Sequence, residues 1–257
     1  VADLIIVGLV ALLASLLTFY SGFGLGTLLT PVFILFLPPE LAILSTAIVH
    51  LLNNLFKAGL MHQHLSRKVL LWFGGPAFVL SFFGAAALGE LGSMDVLRTY
   101  NMGGLQMEMN PLKVTIGFLI ILFALWELFP QWSFKTVNKT LMAVGGSLSG
   151  FLGGLSGHQG ALRSAFLIKL GLSKEQFIAT GIFIAVLVDL GRIPMYFVYE
   201  LDAIGLNISL ILTALIAAFV GALLGKRLLS KMKLKWIQIL VGIFMALIGI
   251  LLIFGWL

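Results

Sequence analysis

Gly153-Gly154-Leu155-Ser156-Gly157-His158-Gln159-Gly160 interrupts the apolar segment 140–170, which is too long for one membrane helix. A second glycine-rich break, Gly22-Phe23-Gly24-Leu25-Gly26, interrupts segment 3–37 in the same way. Each sits where a membrane helix should be continuous. Broken helices at corresponding positions of two halves of a chain are the best sequence pointer to a transporter binding site.

The surrounding composition leaves no room for a water-soluble fold. The chain is 60% hydrophobic and 10% charged, with mean hydropathy +1.13, and no stretch shifts to a soluble composition. It reads as an integral membrane protein. The chain opens at Val1 rather than at a methionine, which leaves room for a preceding piece. The first apolar stretch has no basic residues before it and no small-residue cleavage site after it, so it reads as structural rather than as a signal peptide. The absence of cysteine removes disulfides, thiolate metal sites and thiol relays. The net charge of +6 reflects placement of basic residues about a bilayer, not a nucleic-acid surface.

A helix needs about 20 apolar residues to cross about 30 Å of hydrocarbon. Six stretches fit: 40–61, 69–89, 112–129, 173–199, 204–225 and 236–257. Basic residues then set their directions. Arg67 and Lys68, and the run Lys226, Arg227, Lys231, Lys233 and Lys235, belong on the cytoplasmic side. Glu90, Asp95 and Glu108, with Glu200 and Asp202, fall outside. Lys135 and Lys139 before segment 140–170, and Lys169 and Lys174 at its end, put both its ends inside. Asp3 and Glu40 put both ends of segment 3–37 outside. Each broken segment is therefore expected to be a hairpin that enters and returns, from opposite faces. Full crossings by both legs would instead give ten spans of the same symmetry.

The expected fold is an all-α polytopic membrane protein of two inverted-topology repeats. Residues 1–130 hold hairpin 3–37 and helices 40–61, 69–89 and 112–129. Residues 131–257 hold hairpin 140–170 and helices 173–199, 204–225 and 236–257. Both termini fall outside the cytoplasmic membrane. Gly26 and Gly160, like Thr46 and Thr180, are 134 residues apart, and Phe83-Gly84-Ala85 resembles Val220-Gly221-Ala222. Loop 91–110 has no counterpart in the second half; Gly92, Gly103 and Gly104 suggest a flexible segment that either caps the outer face or has no role.

With Gly22-Phe23-Gly24-Leu25-Gly26 followed by Pro31, and its second-half copy Gly153 to Gly160, the chain resembles the sulfite exporter TauE/SafE family of membrane transporters, also called the toluenesulfonate uptake permease family. The resemblance covers the whole chain in length, helix number and two-half layout. It implies movement of sulfur-containing anions such as sulfite, sulfoacetate or other organosulfonates. His158, Gln159 and Arg163 depart from the commoner, glycine-richer second motif, which points to a different or more selective cargo. The lack of cysteine sets the chain apart from thiosulfate carriers that use sulfur relays.

The residues at the breaks suit an anion. A helix leg that restarts inside a membrane presents free N–H groups and a positive dipole end. The legs should restart near Thr27 and Ala161, with Arg163 in the first turn of the second. An arginine there is costly unless it faces a partner or a cavity, and its planar fork matches a sulfonate or sulfite. The candidate binding set is Arg163, His158, Gln159, Ser156, Gly157 and Gly160, with Ser21, Gly24 and Gly26 from the first break. The alternative for Arg163 is a structural tie to a carbonyl, or snorkelling.

Helix 40–61 carries His50, Asn53, Asn54 and Lys57 on one face, at i, i+3, i+4 and i+7. Asn53 joins the binding set, with interhelical hydrogen bonding as its alternative. Lys57 reads first as a snorkelling lysine near the cytoplasmic end. Asp189 and Arg192 form either a buried structural pair or, with His50 and Lys57, a gating or coupling group. His50 and His158 could carry a proton alongside the anion, or be satisfied structural histidines. His62 and His64 have no further ligand to make a metal site. Gly145, Gly146, Gly150, Gly153 and Gly154 read as close-packing positions.

The sequence thus predicts a gradient-driven carrier, not an enzyme, working by alternating access and needing no cofactor and no metal. Its partners are a small anion and the lipid bilayer, with no nucleic acid. Proton coupling and assembly with further copies stay open, as does an anion channel of the same architecture. Gly154-Leu155-Ser156-Gly157 also matches the Gly-x-Ser-Gly of serine hydrolases, which raises an intramembrane protease as a third reading. That reading needs a base beside Ser156.

Overall fold

A computed structural model describes residues 1–21, 25–128, 137–199, 205–228 and 235–257. Gly24, the Ser21 side chain and the expected charges at Lys135, Glu200, Asp202, Lys231 and Lys233 lie outside what it describes. Among the described residues there are ten helices. They are α1 (Ala2–Ser21), α2 (Leu25–Ile34), α3 (Pro39–Met61), α4 (Arg67–Gly92), α5 (Pro111–Leu128), α6 (Lys139–Ser156), α7 (Gly160–Leu167), α8 (Lys174–Val198), α9 (Ile208–Leu228) and α10 (Lys235–Ile253).

Local chemistry places the ends. Pro39 begins α3, where its missing N–H costs nothing. Asn138 caps α6 by accepting from the Leu141 N–H, and Ser173 with Gln176 forms a reciprocal capping box on α8. In α4, Pro76 cannot donate back into the preceding turn, and the helix widens into a π-turn over Leu70–Gly74 before continuing. α3, α4, α8 and α9 contain windows long and apolar enough to cross a membrane. α5 and α10, of 18 and 19 residues, reach about 27 and 29 Å at helical rise.

The two expected breaks are real interruptions. α1 stops at Ser21 and α2 begins at Leu25; α6 stops at Ser156 and α7 begins at Gly160. The returning legs are short. α2 has 10 residues and α7 has 8, about 15 and 12 Å, well below the span of a bilayer. Neither second leg is a full helical crossing.

Packing joins the two halves throughout. α4 lies along α6, and α9 lies along α1. α5 pairs with α10, and α3 with α8. α4 also meets α8, and α9 meets α3. Each short leg rests on the helix that follows it, α2 on α3 and α7 on α8. Glycines permit the closest approaches. A Cβ at Gly84 would run into the Phe151 carbonyl of α6, and one at Gly221 into the Leu12 carbonyl of α1. Large apolar side chains such as Leu71, Phe83, Ile216 and Leu240 point outward, as a lipid-facing surface requires.

One expectation needs correcting: the fold is not all-α. Loop 91–110 contains an antiparallel hairpin, β1 (Arg98–Met102) and β2 (Leu105–Met109). Gly103 and Gly104 have φ of +60° and +82°, the two positive values that a tight two-residue hairpin turn demands. The glycines therefore set a turn rather than loosen a loop. The hairpin is also docked. Tyr100 Oη donates to the Phe254 carbonyl (2.6 Å) and accepts from Trp256 Nε1 (3.1 Å), fastening the strands to the end of α10.

Candidate functional site

The site is built around the end of α6. A helix that stops inside the protein leaves carbonyls without partners. Gly157 closes the helix in the left-handed conformation at φ +79°, and its N–H returns to the Gly153 carbonyl (3.0 Å). α8 supplies the other caps. Arg192 Nη1 donates to the same Gly153 carbonyl (3.1 Å), and the Tyr196 hydroxyl donates to the Gly154 carbonyl. A cation at this end also opposes the helix dipole.

Arg192 is itself fixed from below. Its Nε donates to Asp189 Oδ1 (2.9 Å), and Nη2 sits 2.8 Å from that oxygen but without hydrogen-bond alignment. The other carboxylate oxygen of Asp189 lies 2.6 Å from His50 Nδ1. All three side chains are buried. The expected Asp189–Arg192 pair is thus present, and it forms one chain with His50 that ties α3, α8 and the end of α6 together. Its charges are matched within the protein, the condition for a buried ion pair to persist.

The first break arrives at the same point. A Cβ on Gly26, in the first turn of α2, would sit 3.1 Å from the Gly157 carbonyl oxygen. A Cβ on Gly157 would sit 3.3 Å from Thr30 Oγ1 and 3.2 Å from Arg192 Nη1. The tips of the two broken segments therefore touch. His158 is held at the same point. Its Nδ1 bonds the Ser156 carbonyl (2.8 Å), and Phe123 of α5 stacks on it at 5.6 Å and 12°. Pro31 has no N–H to offer the Thr27 carbonyl one turn back, so that helix group is released toward the break.

α7 then restarts with its N-terminus facing the junction. Gln159 precedes it without a side-chain cap, and Arg163 follows within the first turn, buried beside Gly181 of α8, whose Cβ would lie 3.6 Å from Arg163 Nε. Arg163 Nη1 reaches Gln159 Oε1 at 3.5 Å, long for a hydrogen bond. Among the described residues, several buried polar atoms at this junction lack hydrogen-bond partners: Thr30 Oγ1, Thr46 Oγ1, Gln159 Nε2 and His158 Nε2. Buried polar groups are ordinarily satisfied, so such a cluster marks a place where something polar belongs. Hydroxyls, an amide N–H, a guanidinium and a helix N-terminus form a set suited to a small oxyanion.

The structure brings Ser156, Gly157, His158, Gln159, Gly160, Arg163 and Gly26 to this junction, with His50, Asp189 and Arg192 behind it. Asn53 and Lys57 belong elsewhere. The Asn53 amide, oriented by its surroundings, donates to the Ala218 carbonyl (3.3 Å) and accepts from Ser15 Oγ (3.2 Å) and Lys57 Nζ (2.9 Å). This is the interhelical bonding that was the alternative for Asn53, joining α1, α3 and α9. Lys57 does not snorkel: it is 1% exposed, with its ammonium turned inward to Asn53.

The hydrolase motif lacks its dyad in this geometry. Ser156 Oγ donates to the Leu152 carbonyl (3.0 Å), His158 Nδ1 engages the Ser156 carbonyl rather than its hydroxyl, and His50 is bound to Asp189. Four contributors were missed in the sequence: Thr30, Thr46, Phe123 and Tyr196. Thr27 and Thr30 are the polar residues of an otherwise apolar leg directly before Pro31, and that was the available signal.

The family model described as sulfite exporter TauE/SafE matches residues 7–252 of the chain. No curated protein and no solved structure matches it.

Proposed function

We propose a function from one premise: the chain belongs to the sulfite exporter TauE/SafE family. It is a multi-pass membrane protein of a transporter family, and the family points to export of sulfite or related sulfur compounds. Our reading goes further. The protein is a secondary carrier for small sulfur-containing anions, sulfite or organosulfonates, across the cytoplasmic membrane, and it binds them where its two broken segments meet.

The observation that carries this reading is the junction itself. Buried Arg163 and the start of α7 stand beside Gln159, and Gly157 and Gly26 bring Thr30 and Thr46 of the other half to the same break; Gln159 Nε2 and both threonine hydroxyls lack partners among the described residues. A pyramidal or tetrahedral oxyanion would occupy several of those donors at once. Asp189 does not oppose it, because Arg192 and His50 already hold that carboxylate.

Alternating access by two inverted repeats is part of the proposal. The principal helix packings support it, because they map onto one another when each helix is exchanged for the one five places away. α4 on α6 becomes α9 on α1, α4 on α8 becomes α9 on α3, and α5 on α10 and α3 on α8 become themselves. Repeats related in this way can rock against each other around a fixed central site.

The test is binding of an anion panel to purified protein: sulfite, sulfate, sulfoacetate, taurine, thiosulfate and simple carboxylates. Thermal stabilisation by sulfite or a sulfonate that disappears in Arg163→Ala supports the reading. Stabilisation by none of the anions overturns it. Equal stabilisation of wild type and Arg163→Ala moves the site away from α7.

A further inference from the structure

The end of α7 opposite to the junction opens on a second polar feature. A cavity of about 470 Å³ lies among the starts of α4 and α6 and the end of α7. Lys68 of α4, Lys139 of α6 and Lys169, two residues past α7, line it, and no lining residue is acidic. Lys139 rests over the Trp72 ring at 5.1 Å, and none of the three lysines forms an ion pair among the described residues. Lys68 and Lys139 also stand at helix N-termini, where the dipole is already positive. Cations placed there repel one another and the helix ends unless an anion joins them.

Three residues at the cavity, Val69, Met142 and Leu170, lead inward. One helical turn deeper on each element stand Phe73 on α4, Gly145 and Gly146 on α6, and Phe166 on α7. These close on one another. The two phenyl rings lie 5.9 Å apart at 59°, a Cβ on Gly145 would come within 2.6 Å of the Phe166 ring, and one on Gly146 would strike the Phe73 carbonyl. Phe73 and Phe166 are fully buried, and Phe73 rides on the π-turn of α4. One turn deeper again, Ser149 Oγ donates to the Gln159 carbonyl (3.3 Å), at the floor of the proposed anion site. The order from the surface is lysines, an aromatic plug, then the site.

We propose that this cavity is a second anion site, the vestibule through which small oxyanions enter or leave, and that the Phe73–Phe166 pair is its closed gate. The proposal rests on the anion-carrier reading for its cargo but not for its geometry. A cleft lined by charges of one sign concentrates counter-ions of the other. π-turns inside long helices recur at functional positions because they can be absorbed or released as a helix shifts. The small residues at 145 and 146 let the plug sit flush against α6, so that withdrawal of α7 would open it.

The sequence has no cysteine, so single-cysteine variants of this chain report without background from it. Met142→Cys and Ser149→Cys would be treated in sealed vesicles of both orientations. The two probes are a sulfonate-bearing and a trimethylammonium-bearing methanethiosulfonate. Met142→Cys should react from one face, with the sulfonate reagent favoured about tenfold. That preference should vanish when Lys68, Lys139 and Lys169 are all changed to Gln. Ser149→Cys should resist both reagents from that face and become reactive with Phe166→Ala, or with Phe73→Ala if the first variant does not fold. An inert Met142→Cys, a preference indifferent to the lysines, or a Ser149→Cys already reactive from that face overturns the proposal. Sulfite stabilisation measured on the same proteins is a separate readout. Its loss with the labelling pattern intact would sink the sulfite reading and leave the vestibule and gate standing.

Discussion

At the scale of single residues, two buried arginines differ in what they hold. Arg192 is committed: its guanidinium grips Asp189 and caps the last turn of α6. Arg163 has a long contact to Gln159 and a place at the start of α7, where an anion is favoured. Arg163→Lys should keep the charge but lose the fork, weakening sulfite binding without abolishing it, whereas Arg163→Ala abolishes it in a calorimetric titration. Asp189→Asn acts on stability instead. It removes the countercharge of a buried arginine, a class of change that costs about 3–5 kcal/mol, so the Tm in detergent should fall sharply. Gly157→Ala should cost about 1–2 kcal/mol, because the left-handed cap then carries a Cβ. That Cβ also faces Thr30 and Arg192, so anion binding should drop with stability. The sequence made His158, Gln159 and Arg163 legible because polar residues beside a glycine break in an apolar segment stand out. Thr46 carries no sign in the sequence, because hydroxyls in apolar helices usually bond the preceding turn; Thr30 has only its place directly before Pro31 to mark it. Lys57 was misread because position near a helix end suggested snorkelling, and only packing shows Asn53 turning it inward.

At the scale of elements, the breaks decide the architecture. Glycines inside apolar runs too long for one helix were enough to mark the two interruptions. Helices 40–61, 69–89 and 112–129 were located to within three residues at either end, because each is an apolar run bounded by charge, proline or polar turns. The β-hairpin is not legible because Gly-Gly in a long loop suggests looseness as readily as a turn. The residues on either side of those glycines pair as strands, and the docking to Phe254 and Trp256 is not encoded locally. The close helix crossings offer a test at this scale. Gly84→Leu and Gly221→Leu should each destabilise the protein by forcing α4 off α6 or α9 off α1. Similar losses of Tm for the pair agree with equivalent crossings. A large loss for one and none for the other contradicts it.

At the scale of the whole molecule, the helix packings are balanced between halves while the site chemistry is not. The second half supplies Arg163, His158, Gln159 and the Arg192 cap, and the first supplies Gly26, Thr30 and Thr46. Such a division suits a carrier, in which a balanced frame changes shape around one ligand that is held mainly by one side. This central claim is tested most directly by sulfite counterflow in proteoliposomes of the purified full chain. Internal sulfite should drive saturable accumulation of labelled external sulfite in the wild type, and Arg163→Ala should show none. Non-saturating flux without exchange would make the protein a channel, and no sulfite movement at all would contradict the account.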